Sequence, residues 1–264
     1  MKVRKGTKMQ IIISPARRMK TDTDSLPASQ LPMYLDKTQQ ILDYLRSLSY
    51  SEIHQLWWNC SEKIARPNYE WVHQMQLKQN LTPAIIAFTG LQYQYMAPDV
   101  FTDDELAYVQ DHLKIMSGFY GMLRPFDGIV QYRLGMGDRA KVAGTKNLYQ
   151  FWGAQLADDL YHNNDIVLNL ASQEYSKAIQ PYVNGQRQFI TCRFVEMIDG
   201  KPKQKATLAK MARGNMVRYL AAQQAATLDQ VKQFAIGYHY VADLSTPTLF
   251  TFLKDVRSSS DFDN

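Results

Sequence analysis

Residues His112–Gly137 read HLKIMSGFYGMLRPFDGIVQYRLGMG, and the division of the whole chain turns on how this stretch is folded. Gly118 and Gly121 stand three apart, and Arg124-Pro125, Asp127-Gly128, Tyr132-Arg133 and Met136-Gly137 follow in quick succession. Glycine serves where the backbone takes positive φ or approaches another group closely, and arginine where a planar anion is gripped. Just upstream, Thr102-Asp103-Asp104-Glu105 is a capping box, which predicts a helix running to about Lys114 and delivering the glycines. Two readings of the turn stay open: an αα-hairpin with a glycine bend, or a turn that brings backbone amides up to phosphate.

On the N-terminal side, Met9–Ser14 is a short apolar run stopped by Ser14-Pro15, expected to be a buried strand. The basic residues after it, Arg17, Arg18 and Lys20, fall where binding loops commonly sit, although a solvated charge cluster explains them equally well. After a loop over 21–34, helices are expected from Tyr34 to Leu48, from Ser51 through Trp57-Trp58, and from Asn68 to Met75. The adjacent tryptophans are read as one core and one rim residue. Pro83–Phe88 is expected to be an interior strand, with a turn over 88–93.

On the C-terminal side, Asn147 caps a helix expected over Leu148–Leu160, and residues 165–170 read as a strand. Ser172 switches that strand into a helix carrying Glu174, Tyr175 and Lys177; the turn is either an anion-holding helix start or an ordinary cap. Asp199-Gly200 marks a hairpin between 188–197 and 202–208. Lys210–Leu220 follows as a basic helix with Gly214 inside it, a position that implies close approach by a backbone or a ligand. Thr227–Gln230 is a second capping box, and 236–241 and 247–253 read as closing strands. The fold class expected is mixed α/β (α+β): one domain over residues 1–254, with a central mixed sheet including 9–14 and 166–170, covered by helices. Residues 255–264 are expected to be a disordered tail.

With 264 residues, of which 45% are hydrophobic, the chain can bury a substantial core. It has no run of eighteen apolar residues, so neither a membrane span nor a signal peptide is expected. Cys60 and Cys192 lie far apart, which favours a reducing, cytoplasmic setting. Five histidines, none at ligand spacing, give no reason to expect a metal or other cofactor. The chain lacks a Walker loop, a dinucleotide fingerprint and a nucleophile elbow. Asp127, Asp138 and Glu174, with Ser14, Ser117 and Ser172, leave an enzyme acting on a nucleobase or nucleotide as the alternative class.

The formal charge of +5 and a pI near 9.0 make polyanions the more plausible partners. Arg17, Lys114, Arg124, Arg133, Lys177, Lys210, Arg213 and Arg218 recur inside the motif stretches. If they converge, with Gly118 and Gly121 between them, they give salt-dependent binding without sequence preference. Tyr120, Tyr132 and Tyr175 are available to stack on unpaired bases.

At these same residues the chain resembles the YaaA family of bacterial peroxide-stress-response proteins. The resemblance rests on Ile11–Ala16, Ser117–Pro125, Tyr132-Arg133-Leu134 with Met136-Gly137, Leu148–Gly153, Asn169–Ser172 with Glu174, Tyr175 and Lys177, and Lys210 with Ala212-Arg213-Gly214, Met216 and Arg218. Arg17 stands where the family usually has lysine, and Thr89 and Leu91 replace its usual lysine and acidic residue. The resemblance implies binding of duplex, branched or locally unpaired DNA in the response to hydrogen peroxide, and a lowering of free intracellular iron. It also implies a positively charged cleft and a helix-hairpin-helix element, placed here at 102–128 with 51–76 as the rival location.

Overall fold

The computed structural model describes residues 9–255, so the tail expected to be disordered lies, from residue 256 on, outside the described residues. Strand β1 (Met9–Ile13) is buried along its whole length, the pattern of an interior strand with both faces covered. Helix α1 (Leu35–Ser47) buries Ile41, Leu42 and Leu45, and α2 (Tyr50–Leu56) starts on a capping box formed by Ser49 and Glu52. Helix α3 (Glu62–Gln74) begins six residues before the Asn68 expected as its start and runs through Pro67. The expected strand at 83–88 is instead a two-residue β2 (Thr82–Pro83) and one buried turn of helix, α4 (Ala84–Ala87). A short apolar run that is buried all round carries no period by which strand and helix are told apart. Helix α5 (Leu91–Met96) occupies the segment expected to be a turn.

The stretch that organises the chain is folded differently from its sequence expectation. Helix α6 (Asp103–His112) forms on the expected capping box, Thr102 accepting from the Glu105 amide at 3.3 Å, but it stops at His112. Leu113–Ser117 is strand β3, and Gly121–Leu123 is its antiparallel partner β4. The glycines therefore turn a β-hairpin. Leu113 and Ile115 face β1, with Ile11 opposite Leu113, and that pairing overrides the helical spacing of the same residues. Residues 102–128 are thus a helix followed by a β-hairpin, which excludes them as a helix-hairpin-helix element. The rival location holds two helices, α2 and α3, joined by residues 57–61.

Beyond β5 (Gly128–Ile129), which pairs with β2, the single helix expected at 148–160 is two. Helices α7 (Leu148–Trp152) and α8 (Gln155–Leu160) are separated by Gly153 at φ +57. Then come β6 (Ile166–Leu170), the four-residue α9 (Gln173–Ser176), and the hairpin β7 (Gln188–Ile198) with β8 (Lys201–Lys203). The second arm of that hairpin is shorter than expected, because α10 (Ala206–Ala222) starts at Ala206. Helix α11 (Leu228–Lys232) forms on the Thr227 capping box, and β9 (Tyr238–Tyr240) and β10 (Leu249–Lys254) close the chain as read from sequence.

The main sheet has the order β4-β3-β1-β6-β7-β10-β9, with β8 paired to β7 alone. Strands β3, β1, β6, β7 and β10 are mutually parallel, and the edges β4 and β9 are antiparallel. Around it the helices bury one continuous hydrophobic core. The expected class, a mixed α/β domain built on a central sheet that includes 9–13 and 166–170, is what the chain forms. The connection leaving β1 runs to β3 on one side, while that leaving β6 runs to β7 on the other. Where neighbouring parallel strands send their chains apart, the carboxyl ends open a crevice, and ligands of open α/β sheets bind there.

Candidate functional site

The crevice is occupied by a cavity of about 570 Å³. Its floor is the pair of strand ends. Ser14 follows β1 and Ser172 follows β6; the Ser172 amide donates to Ser14 Oγ at 2.8 Å, and the Ser14 hydroxyl donates to Ser172 Oγ at 3.2 Å. Tyr93 of α5 donates to the Ser14 carbonyl at 3.0 Å, which fixes the first turn of the loop carrying Arg17 and Arg18. Ser172 makes no side-chain cap bond to α9, and a four-residue helix supplies little dipole, so α9 is no anion site by itself.

Five cations line the cavity: Arg17, Arg18, Arg133, Lys210 and Arg213. None of them makes a salt bridge among the described residues. Lys210 and Arg213 sit three apart on α10, which puts them on one helix face. Arg213 is only 9% exposed, its Nε has no hydrogen-bond partner, and burial pushes its pKa down from the usual arginine value. Arg133 lies over the Trp57 ring at 6.0 Å, and its buried Nε is also unpartnered. Two further buried donors on cavity-lining residues, Trp57 Nε1 and Gln92 Nε2, lack a partner as well. Buried donors are satisfied in all but a few cases, so four together around one cavity mark a place for an acceptor-rich group.

Two carboxylates share the cavity, neither in a salt bridge with those cations among the described residues, and the Arg17 charge acts on Asp138. Asp138 accepts from the Gly135 amide at 2.7 Å and from Trp58 Nε1 at 2.9 Å, and burial raises its pKa despite these bonds. Glu174 Oε1 accepts from the Gly137 amide at 3.0 Å. Both carboxylates flank Gly135, where a Cβ would stand 2.8 Å from Glu174 Oε1. Tyr93, Tyr132 and Tyr175 are buried, which raises their pKa values and keeps the phenols neutral. Among the described residues no three His, Cys, Asp or Glu side chains gather as a metal site.

Of the cations and glycines expected from sequence to converge on DNA, Arg17, Arg133, Lys210 and Arg213 meet here. The others do not. Arg124 is held by Asp127 at 2.8 Å and donates to the Leu31 carbonyl, so it serves the fold. Lys114 lies on β3, where its charge acts on Asp127. Lys177 and Arg218 are exposed outside the cavity. Gly118 and Gly121 are buried: a Cβ on Gly118 would come within 2.6 Å of the Gly135 carbonyl carbon, and Gly121, at φ +75, faces Trp152. Their turn is closed by Ser117, whose Oγ accepts from the Phe119 and Tyr120 amides, so those amides point at protein. Sequence reasoning did not find Gln92, or Asp138 as the anchor of Trp58. The one available signal was Trp57-Trp58, expected to be core and rim and found at 2% and 55% exposure.

The family model described as peroxide stress protein YaaA matches residues 9–244. A UPF0246 protein of Limosilactobacillus reuteri is 63% identical over 245 residues, spanning 92% of this chain and 98% of its own. One from Pediococcus pentosaceus is 51% identical over 248 residues, 94% and 98% of the two chains. Another from Lachnoclostridium phytofermentans is 47% identical over 247 residues, 93% and 96%.

Proposed function

Since the chain belongs to the YaaA family of peroxide stress proteins, we propose that it binds DNA in the cellular response to hydrogen peroxide, with the strand's phosphates received by the cavity between β1 and β6. One observation carries this reading: five cations line a single crevice and, among the described residues, none forms a salt bridge, although two carboxylates are close by and the Arg17 charge acts on Asp138. A buried guanidinium without an acid partner is costly, and a bound phosphate removes that cost while a released counterion adds to affinity. Contacts of this kind are made to backbone and carry no sequence preference. The paired helices α2 and α3, whose connection lines the cavity with Trp57 and Trp58, are the candidate for the hairpin element. Bound to branched or unpaired DNA, the protein would shield strands where peroxide and free iron do their damage. In this reading the protein also limits free intracellular iron, as the resemblance implies.

A second reading has its own support. Ser14, Asp138, Ser172 and Glu174, four of the six residues that leave a nucleotide-handling enzyme as the alternative, share the cavity. Of the other two, Asp127 is fully buried and tied to Arg124, and Ser117 is buried against the Tyr132 hydroxyl. Chromatography of DNA and of mononucleotides after incubation with the protein distinguishes the two: a released base or altered nucleotide supports the enzyme.

The binding reading is tested by mobility-shift titration over a salt series. Arg133→Ala and Lys210→Ala are each expected to weaken binding for all sequences and to flatten the salt slope by about one unit. Lys254→Ala, at the end of β10 beside the edge strand β9, is expected to match the unaltered protein. Absence of salt-dependent binding by the unaltered protein defeats the proposal.

A further inference from the structure

Trp58 is the least protein-like feature of the cavity. It is 55% exposed, and its backbone is left-handed at φ 58, followed by Asn59 at φ 49. Bulky side chains avoid that region, and where one is held there the surroundings must impose it. The indole is fixed from two directions. Its Nε1 donates to Asp138 at 2.9 Å, and Asp138 is itself buried and anchored by the Gly135 amide. One ring face carries the Arg139 guanidinium at 4.8 Å from the centroid. Trp58 lines the cavity together with Arg133 and Arg213.

A rigid aromatic plane with open surface, set in one cavity with Arg133 and Arg213, has the chemistry to receive a planar base joined to a phosphate. The cavity volume of about 570 Å³ lies in the range of about 300–1,000 Å³ typical of sites for one small molecule. Buried Trp57 Nε1 and Gln92 Nε2, both without partners, offer donors to acceptors on such a ligand. We propose that Trp58 is the stacking platform for a single unpaired nucleotide, whose base lies on the indole and whose phosphate lies against Arg133 and Arg213. This deepens the reading of the same cavity as a phosphate site and rests on it. The nucleotide comes either from an unpaired stretch of DNA or from a free mononucleotide, and the test separates the two.

The experiment uses the full chain and a DNA duplex with a central unpaired bubble carrying 2-aminopurine, set against the same probe fully paired. Saturating binding is expected to quench the bubble fluorescence several-fold and to leave the paired probe unchanged. Trp58→Ala is expected to abolish the quench and weaken bubble binding about tenfold, the loss of one base–aromatic stack, with the salt slope kept. Trp58→Phe, which keeps a ring and loses the indole N–H, is expected to retain the quench; both variants are first matched to the unaltered protein by thermal midpoint and circular dichroism. A quench unaffected by Trp58→Ala, no quench at saturation, or equal loss in both variants overturns the platform while leaving DNA binding itself intact. If DNA is not bound, deoxyadenosine monophosphate titrated against tryptophan fluorescence decides. Binding lost in Trp58→Ala then supports the platform with a free nucleotide as ligand, and absence of binding sinks both readings.

Discussion

Arg124 and Asp127 show how one residue type serves two ends. From sequence Arg124 looked like a phosphate ligand, but its guanidinium donates to Asp127, whose side chain is fully buried. Removing one partner of such a pair strands a charge in the interior, at a cost of about 3–5 kcal/mol. Arg124→Ala is therefore expected to lower the urea midpoint sharply, with any loss of DNA binding tracking loss of folded protein. Urea titration followed by fluorescence checks this, and a variant as stable as the unaltered protein but unable to bind DNA would return Arg124 to the site. Asp138 gives a pH-dependent counterpart. Burial raises its pKa above the ordinary 3.8, so the folded state holds a proton that the unfolded chain has already released. Its contribution to stability then falls as pH rises from about 4 through the folded value, and levels off beyond it. Asp138→Asn removes this slope, so the thermal midpoint of the variant minus that of the unaltered protein is expected to rise between pH 4 and pH 8. A difference that stays flat across that range would show that Asp138 ionises as freely folded as unfolded.

Among the elements, α10 and α5 carry the tightest constraint. A Cβ on Gly214 would stand 2.2 Å from the Gln92 carbonyl oxygen, so the two helices touch backbone to backbone. The neighbours of that contact are the cavity donors Gln92 and Arg213. Gly214→Ala is expected to lower stability by about 1–3 kcal/mol through overpacking and to weaken DNA binding with it, as the helices part. Gly185→Ala is the control, since Gly185 has φ +61 and open space around it; it is expected to cost about 1 kcal/mol for the left-handed backbone and nothing in binding. Calorimetry and the mobility shift on both variants decide it. Gly214 also shows what was legible in the sequence. A glycine inside a helical pattern announced a close approach, and the capping boxes at Thr102 and Thr227 announced helix starts, because these signals are local. Leu113–Ser117 was not legible as a strand, for its conformation is set by Ile11–Ile13 a hundred residues away. The same holds for the site. Residue type pointed to Arg17, Arg133, Lys210 and Arg213, but only the strand order brings them together and leaves Lys177 and Arg218 outside.

At the scale of the whole molecule, the cavity is a local cost that the rest of the core must carry. Sheet and helices bury one continuous apolar cluster, and into its edge they set Arg213, nine-tenths buried and with no acid partner among the described residues. Holding a charge in the interior without a partner costs several kcal/mol of lost hydration, which an apolar chain of similar length does not incur. Arg213→Met is therefore expected to raise the thermal midpoint of the free protein. The same change is expected to weaken DNA binding, so that stability and function move in opposite directions at one position. A ligand that binds only the folded state raises the midpoint as its concentration passes the dissociation constant. Inorganic pyrophosphate, a compact source of phosphate oxygens, is thus expected to raise the midpoint of the unaltered protein and not that of Arg213→Met, with Lys254→Ala responding like the unaltered protein. Differential scanning calorimetry with and without pyrophosphate makes the comparison. A variant whose midpoint falls would show that the guanidinium is held by the fold rather than by its ligand, and an equal pyrophosphate shift in both proteins would remove Arg213 from the anion site.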